Sequence, residues 1–214
     1  AAAAVVNDPL LRAQLLTLQG QIEWNTRSLN DGYDLILQAA ESASGVDDGM
    51  AQQLTMLAAS LSAFGAQSPR PFDVGSLVTE PAADAPARLR AAFHLLHGFR
   101  AIGHKDYATA ADLFRHAFAL TDADPLAGDH VLQPNLAIAA WLIDDDERNL
   151  RLHENQLTAA RGAGALSMVE HALTRGFFAQ FATGAWAKAG AAAAEGLSLT
   201  ASTGQRGQTA LPMA

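Results

Sequence analysis

A helical period runs through almost the whole chain, and it restricts the fold more than any other feature. Leu11, Leu15, Leu18 and Ile22 fall on one face of a helix, as do Leu54, Leu57, Leu61 and Phe64. Leu89, Phe93 and Leu96 begin a third stripe, and Tyr107, Ala110, Ala111, Phe114, Ala117 and Phe118 a fourth. Leu136, Ala139, Ala140 and Ile143 follow, then Leu150, Leu157 and Ala160. Leu166, Val169, Leu173, Phe177 and Phe181 form another stripe, and Trp186, Ala189, Ala193 and Leu197 the last. No run of four to eight residues alternates as a strand does. The expectation is an all-α chain of eight or nine helices over 8–26, 28–43, 47–66, 86–103, 107–121, 130–144, 146–163, 165–182 and 185–202.

The punctuation agrees with that period. DADPLAGD (Asp122 to Asp129) and GAGA (Gly162 to Ala165) separate helices, and Pro134 falls in a first turn, where its missing N–H costs little. The longest break, SPRPFDVGSLVTEPAADAP (Ser68 to Pro86), holds four prolines. It divides the chain into N-terminal helices over 1–67, a Pro-rich loop over 68–86 and C-terminal helices over 87–214 that are expected to continue beyond the sequence. The break is either a long loop packed on the surface or a hinge between two units.

Composition removes several function classes. A net charge of −8 with only 14 scattered Lys and Arg lacks the basic stripe of a sequence-independent nucleic-acid grip. With no cysteine among 214 residues, disulfides, thiolate zinc sites and cysteine nucleophiles are impossible. No apolar run reaches the roughly 18 to 20 residues that span a bilayer. The start, AAAAVVNDP, lacks the basic region of a signal peptide and an initiator Met, and GQTALPMA ends without a cap. Both ends read as cut, so the chain is expected to be a piece of a longer, cytoplasmic protein.

Helices joined by short loops invite a search for an internal period. If Tyr107 stands at the turn of a helix–turn–helix repeat of about 34 residues, Gly98 takes the close-packing position of the first helix. Ala110, Phe114 and Ala117 then take the signature positions of the second. Gly and Ala let the two helices approach, and the aromatics fill the space beside them. Trp186, Ala189, Ala193 and Gly196, with Gly184 just before, repeat the register, and Gly20, Leu29, Gly32, Ile36 and Ala39 fit it more loosely. Gly20 to Gly98 is 78 residues and Tyr107 to Trp186 is 79, which implies repeats of about 39. The expected architecture is a tetratricopeptide-like α-solenoid. In it Tyr107 packs inward, while Lys105, Asp106, Asp112, Arg115 and His116 form the turn and the solvated side.

Arg148 to Gly204 resembles the helical region of the large ATP-binding LuxR-type transcriptional regulators of actinobacteria. The residues that carry the likeness are Leu157, Ala160, Arg161, Gly164, Ala165 and Leu166, then Gly184 and Trp186 at a turn, and Thr203 and Gly204 at the close. The LIDDDE run (Leu142 to Glu147) resembles the family's Trp-Asp-Asp-Glu stretch, with isoleucine in the place of the tryptophan. LRAQLLTLQGQIEW (Leu11 to Trp24) resembles the opening of the same region, so the likeness runs from about residue 10 to the end. These are packing motifs rather than catalytic ones. The resemblance implies the middle of a multidomain regulator whose ATPase and DNA-binding helix-turn-helix lie elsewhere. Gly184 to Lys188 lacks the second glycine and the hydroxyl of a phosphate loop, and no basic recognition helix is present.

Reactive constellations are weak. His94 and His97 lie three apart on one helix and could reach one metal, but no HExxH pattern accompanies them and no third ligand is evident. Packing inside their helix pair is the better reading. Asp144 to Glu147 lacks the glycine and the twelfth-position Glu of a calcium loop and instead suits the positive end of a helix. No G-x-S-x-G elbow is present. The expectation is a protein with no catalytic, cofactor or metal site. Function is placed in a concave groove lined by Gln14, Thr17, Gln21 and Trp24, by Leu95, Phe99 and Ile102, and by His171, Thr174, Phe178 and Phe181. A protein partner or small effector would bind there, or the chain would act as a homodimerising spacer. No direct contact with nucleic acid or membrane is expected.

Overall fold

In the computed structural model, residues 6–63, 65–68, 74–123, 129 and 132–204 are described. Among them are nine α-helices, no strand and one 3-10 turn. The helices are α1 (Pro9–Thr26), α2 (Leu29–Ala43), α3 (Asp48–Ala63), α4 (Ala87–Gly103), α5 (Tyr107–Ala123), α6 (Leu132–Leu142), α7 (Asp146–Ala163), α8 (Leu166–Ala182) and α9 (Trp186–Thr203). The expected all-α class is observed. Phe64, expected on the α3 stripe, and most of the DADPLAGD break lie outside the described residues.

Short polar side chains start most of the helices. Asp8 accepts from the backbone N–H groups of Leu10 and Leu11 at 2.9 and 3.2 Å, with Pro9 behind it at the first helical position. Asp47, Asp106, Asp129 and Asp145 each accept one backbone N–H at the start of α3, α5, α6 and α7, at 2.8 to 3.2 Å. Four of the turns have a left-handed residue two places before the first residue of the next helix. Glycine supplies it at Gly164 and Gly184, but Lys105 (φ 62°) and Asp144 (φ 59°) supply it at the α4–α5 and α6–α7 turns.

The chain divides into two compact units, Ala1–Pro125 and Leu126–Ala214. In the first, consecutive helices from α1 to α5 pack on one another. One core cluster there is made of Ala13, Leu16, Ala39, Ala40, Ala43, Ala51 and Leu54. In the second, α6 to α9 pack in the same consecutive way, around Ala160, Val169, Leu173 and Ala192. Small side chains dominate both interiors, so helix backbones come close.

The boundary differs from the one expected at the Pro-rich stretch. Residues 69–73 lie outside the described residues, but both sides of the stretch are attached to the first unit. The Ser68 hydroxyl donates to Asp34 at 2.8 Å, and the Gln67 N–H donates to Asn30 at 3.0 Å. The 3-10 turn Val74–Leu77 packs on α3 and α4, and α3 itself packs on α4. The described residues on both sides of 69–73 therefore pack within the first unit, together with α3 and α4.

The close approaches fall where glycine stands. A Cβ on Gly98 of α4 would overlap the Phe114 ring of α5, and one on Gly20 of α1 would meet Ile36 of α2 at 3.0 Å. A Cβ on Gly32 would come within 2.8 Å of the Gly20 carbonyl oxygen. The turn aromatics do not join these contacts. Tyr107 is 63% exposed and Trp186 is 69% exposed, which corrects the expectation that they pack inward. Each is the first residue of its helix, and the inward face begins one turn later, at Ala110 and Ala189.

Candidate functional site

A common register underlies the inward faces. In α2, α3, α5, α7 and α8, the residues four, eight and eleven places after the one preceding the helix are all buried. They are Gly32, Ile36 and Ala39; Ala51, Thr55 and Ala58; Ala110, Phe114 and Ala117; Asn149, His153 and Gln156; and Val169, Leu173 and Gly176. Only α7 of these fills all three places with polar side chains. Asn149 donates to the Ala137 carbonyl of α6 at 2.7 Å. His153 sits against α8 at Gly176, where a Cβ would come within 3.0 Å of its own.

Across from this stripe, α8 contributes a second polar set. Glu170 is fully buried, and its carboxylate accepts from the Thr200 and Thr203 hydroxyls of α9 at 2.5 and 3.1 Å. Thr174, also fully buried, donates to the Glu170 carbonyl at 2.9 Å. His171 keeps part of its side chain at the surface, but its Nε2 is enclosed and meets no hydrogen-bond partner among the described residues. Burial pulls His153 down to about 4, helped by the Arg175 charge, while Gln156 one turn along works weakly the other way. Burial pulls His171 down to about 3, helped by Arg175 and then His153. Arg175 is itself lowered by burial. Sequence reasoning named His171 and Thr174, as groove residues, but missed Asn149, His153, Gln156, Glu170 and Arg175; the signal was the polar trio Asn149, His153, Gln156 in a register that is otherwise mostly apolar.

Three of the expected groove residues are not surface residues. Leu95, Phe99 and Thr174 lie in the interior, with exposures of 0%, 1% and 0%, and cannot line an open surface. Phe99 instead packs edge-on against Phe114, ring centres 5.2 Å apart. Gln14 and Gln21 are exposed, Trp24 and Ile102 are half-buried, and Thr17 is half-buried with its hydroxyl on the Ala13 carbonyl at 2.7 Å. In the second unit Phe178 is half-buried and Phe181 is 61% exposed. Phe178 is 6.3 Å from the ring of Trp141, itself 41% exposed, and 4.5 Å from that of Phe177. The second unit therefore carries an aromatic surface from α6 and α8.

Arg12, Asp34, Gln38, Glu41 and Ser42 of α1 and α2 line an open depression of about 590 Å³, in which Gln38 donates to Asp34 at 3.0 Å. On α4 and α5 the His94 and His116 rings stack at 5.5 Å, and Phe93 lies 4.2 Å from His97. Burial, then His116, hold His94 below its usual value. Among the described residues no three His, Asp or Glu side chains converge as a metal set. Asp145 caps α7 and also receives the Arg148 guanidinium at 3.0 Å, with Asp146 and Glu147 in the first turn, the arrangement expected of acids at a helix start. No family model, curated protein or solved structure matches the chain.

Proposed function

We propose that the chain is a non-catalytic binding scaffold, a tetratricopeptide-like helical segment of a LuxR-type ATP-binding regulator. It would take up a protein partner or small effector and pass that event to DNA-binding parts located elsewhere. The observation that carries the reading is the Gly98–Phe114 crossing, in the register shared by Gly20, Gly32 and Ile36. The family assignment rests on the residues of Arg148 to Gly204 and Leu11 to Trp24 alone. Buried Leu95, Phe99 and Thr174 drop out of the binding surface, and the aromatic face of Trp141, Phe178 and Phe181 takes their place. A ligand acts through such a scaffold only by binding two of its states unequally. Thermal shift of the chain against peptide and effector panels tests this, with a rise in melting temperature that Phe181→Asp abolishes as the expected result. Absence of any shift across the panels would count against direct sensing.

The exposure of Phe181 and Trp186 equally suits a self-association spacer. Light scattering separates the two readings. A defined dimer dissolved by Phe181→Asp supports the spacer, and a monomer that shifts with a ligand supports the sensor.

A further inference from the structure

The aromatic surface of the second unit has acids at its edge. Trp141, near the end of α6, is exposed, and its ring meets that of Phe178 on α8. Phe181 lies three residues beyond Phe178, on the same face of α8, and is exposed as well. The turn that follows α6 closes on Trp141, whose carbonyl accepts the Asp144 N–H at 3.2 Å. That contact fixes the acidic run Asp144 to Glu147 beside the aromatic face. Asp144 and Glu147 are exposed and Asp146 is half-buried, and none of the three forms an ion pair among the described residues. Asp145 alone is compensated, by Arg148 at 3.0 Å. The other bases of this part of the unit stand apart from the run. Arg151 is exposed one turn further along α7, Lys188 is exposed in the first turn of α9, and Arg175 is half-buried one turn before Phe178.

We propose that this face docks a basic segment of a protein partner, one that carries Arg or Lys together with apolar side chains. The proposal rests on the reading of the aromatic face as a binding surface and adds what that surface selects. Exposed aromatic rings attract guanidinium and ammonium groups, and Trp141 and Phe181 offer two such rings. Asp144 and Glu147 supply the opposite charge at the edge, while the apolar side chains of the segment cover Phe178. An acidic segment meets like charge at Asp144, Asp146 and Glu147 and is rejected. The chain's net charge of −8 draws a basic segment in from a distance, a pull that salt weakens.

The test is calorimetric titration of the full chain with two synthetic amphipathic helical peptides of equal length. One is built of Leu, Phe and Arg, and the other has Glu in place of every Arg. The basic peptide is expected to bind roughly tenfold or more tightly than the acidic one, and less tightly as salt is raised. Phe181→Ala and Trp141→Ala are each expected to weaken the basic peptide by about two- to fivefold. Asp144→Asn combined with Glu147→Gln is expected to weaken it by about two- to tenfold at low salt. Asp144 is left-handed, a conformation that asparagine tolerates, and circular dichroism checks the fold of each variant. Should Trp141→Ala not fold, Phe181→Ala at the more exposed position decides alone. Equal binding of both peptides, lost in Phe181→Ala, overturns the basic partner while leaving the aromatic face a binding surface. Basic-peptide binding that the aromatic variants leave unchanged overturns the proposed site. Failure of both peptides to bind the unmodified chain overturns the proposal, and the effector panels then decide the broader reading separately.

Discussion

Gly98 of α4 lies so close to the ring of Phe114 of α5 that a Cβ there would overlap it. The pair sets how near the two helices approach, and it makes glycine a requirement of packing. Gly98→Ala is therefore expected to destabilise the first unit by about 1–2 kcal/mol, the overpacking cost less the gain in helix propensity. Gly190 of α9 has open space around its missing Cβ, so Gly190→Ala is expected to stabilise by about 0.5–1 kcal/mol. Urea unfolding followed by circular dichroism separates the two signs.

Glu170 is an enclosed carboxylate held between α8 and α9 by two threonine hydroxyls. Thr200→Val keeps the shape of the side chain and removes the closer donor. The expected loss is about 1–3 kcal/mol, because a buried carboxylate loses a hydrogen-bond donor. Thr203→Val, at the longer and more exposed contact, should cost less. Melting temperatures of the two variants give the order directly.

Lys105 adopts a left-handed backbone, φ 62°, at the α4–α5 turn, where Gly164 and Gly184 do the same work elsewhere. Lys105→Gly relieves the crowding of Cβ against the following carbonyl. Part of the gain is returned as unfolded-state entropy, leaving an expected stabilisation of about 0.5–1 kcal/mol. A fall in melting temperature would show that the Lys105 side chain stabilises the turn in some other way.

Much of the secondary structure was legible because the apolar stripes and the punctuation act locally. Asp8, Ser28 and Asp145 sit at caps where an acid or hydroxyl meets free N–H groups, and the helix starts follow within a residue or two. Gly98, Ala110, Phe114 and Ala117 were readable as one crossing because close approach leaves a small residue opposite a large one. The groove was not readable from register alone. Leu95 and Phe99 look like surface positions on a helical wheel, but the neighbouring helices cover them, and that depends on tertiary packing. The turn aromatics misled for a related reason, since Tyr107 and Trp186 stand at the first helical residue, outside the contact. His153 and Gln156 were passed over because polar residues at helical spacing look like a solvated face unless the cap fixes their phase.

The central claim is that glycine and aromatic side chains in one register hold the α4–α5 crossing. A double-mutant cycle on Gly98→Ala and Phe114→Leu tests it most directly. If the contact is as described, the smaller Leu makes room for the added methyl, and the double variant is more stable than the sum of the single losses by about 1 kcal/mol or more. Strictly additive losses would contradict the crossing and the register built on it.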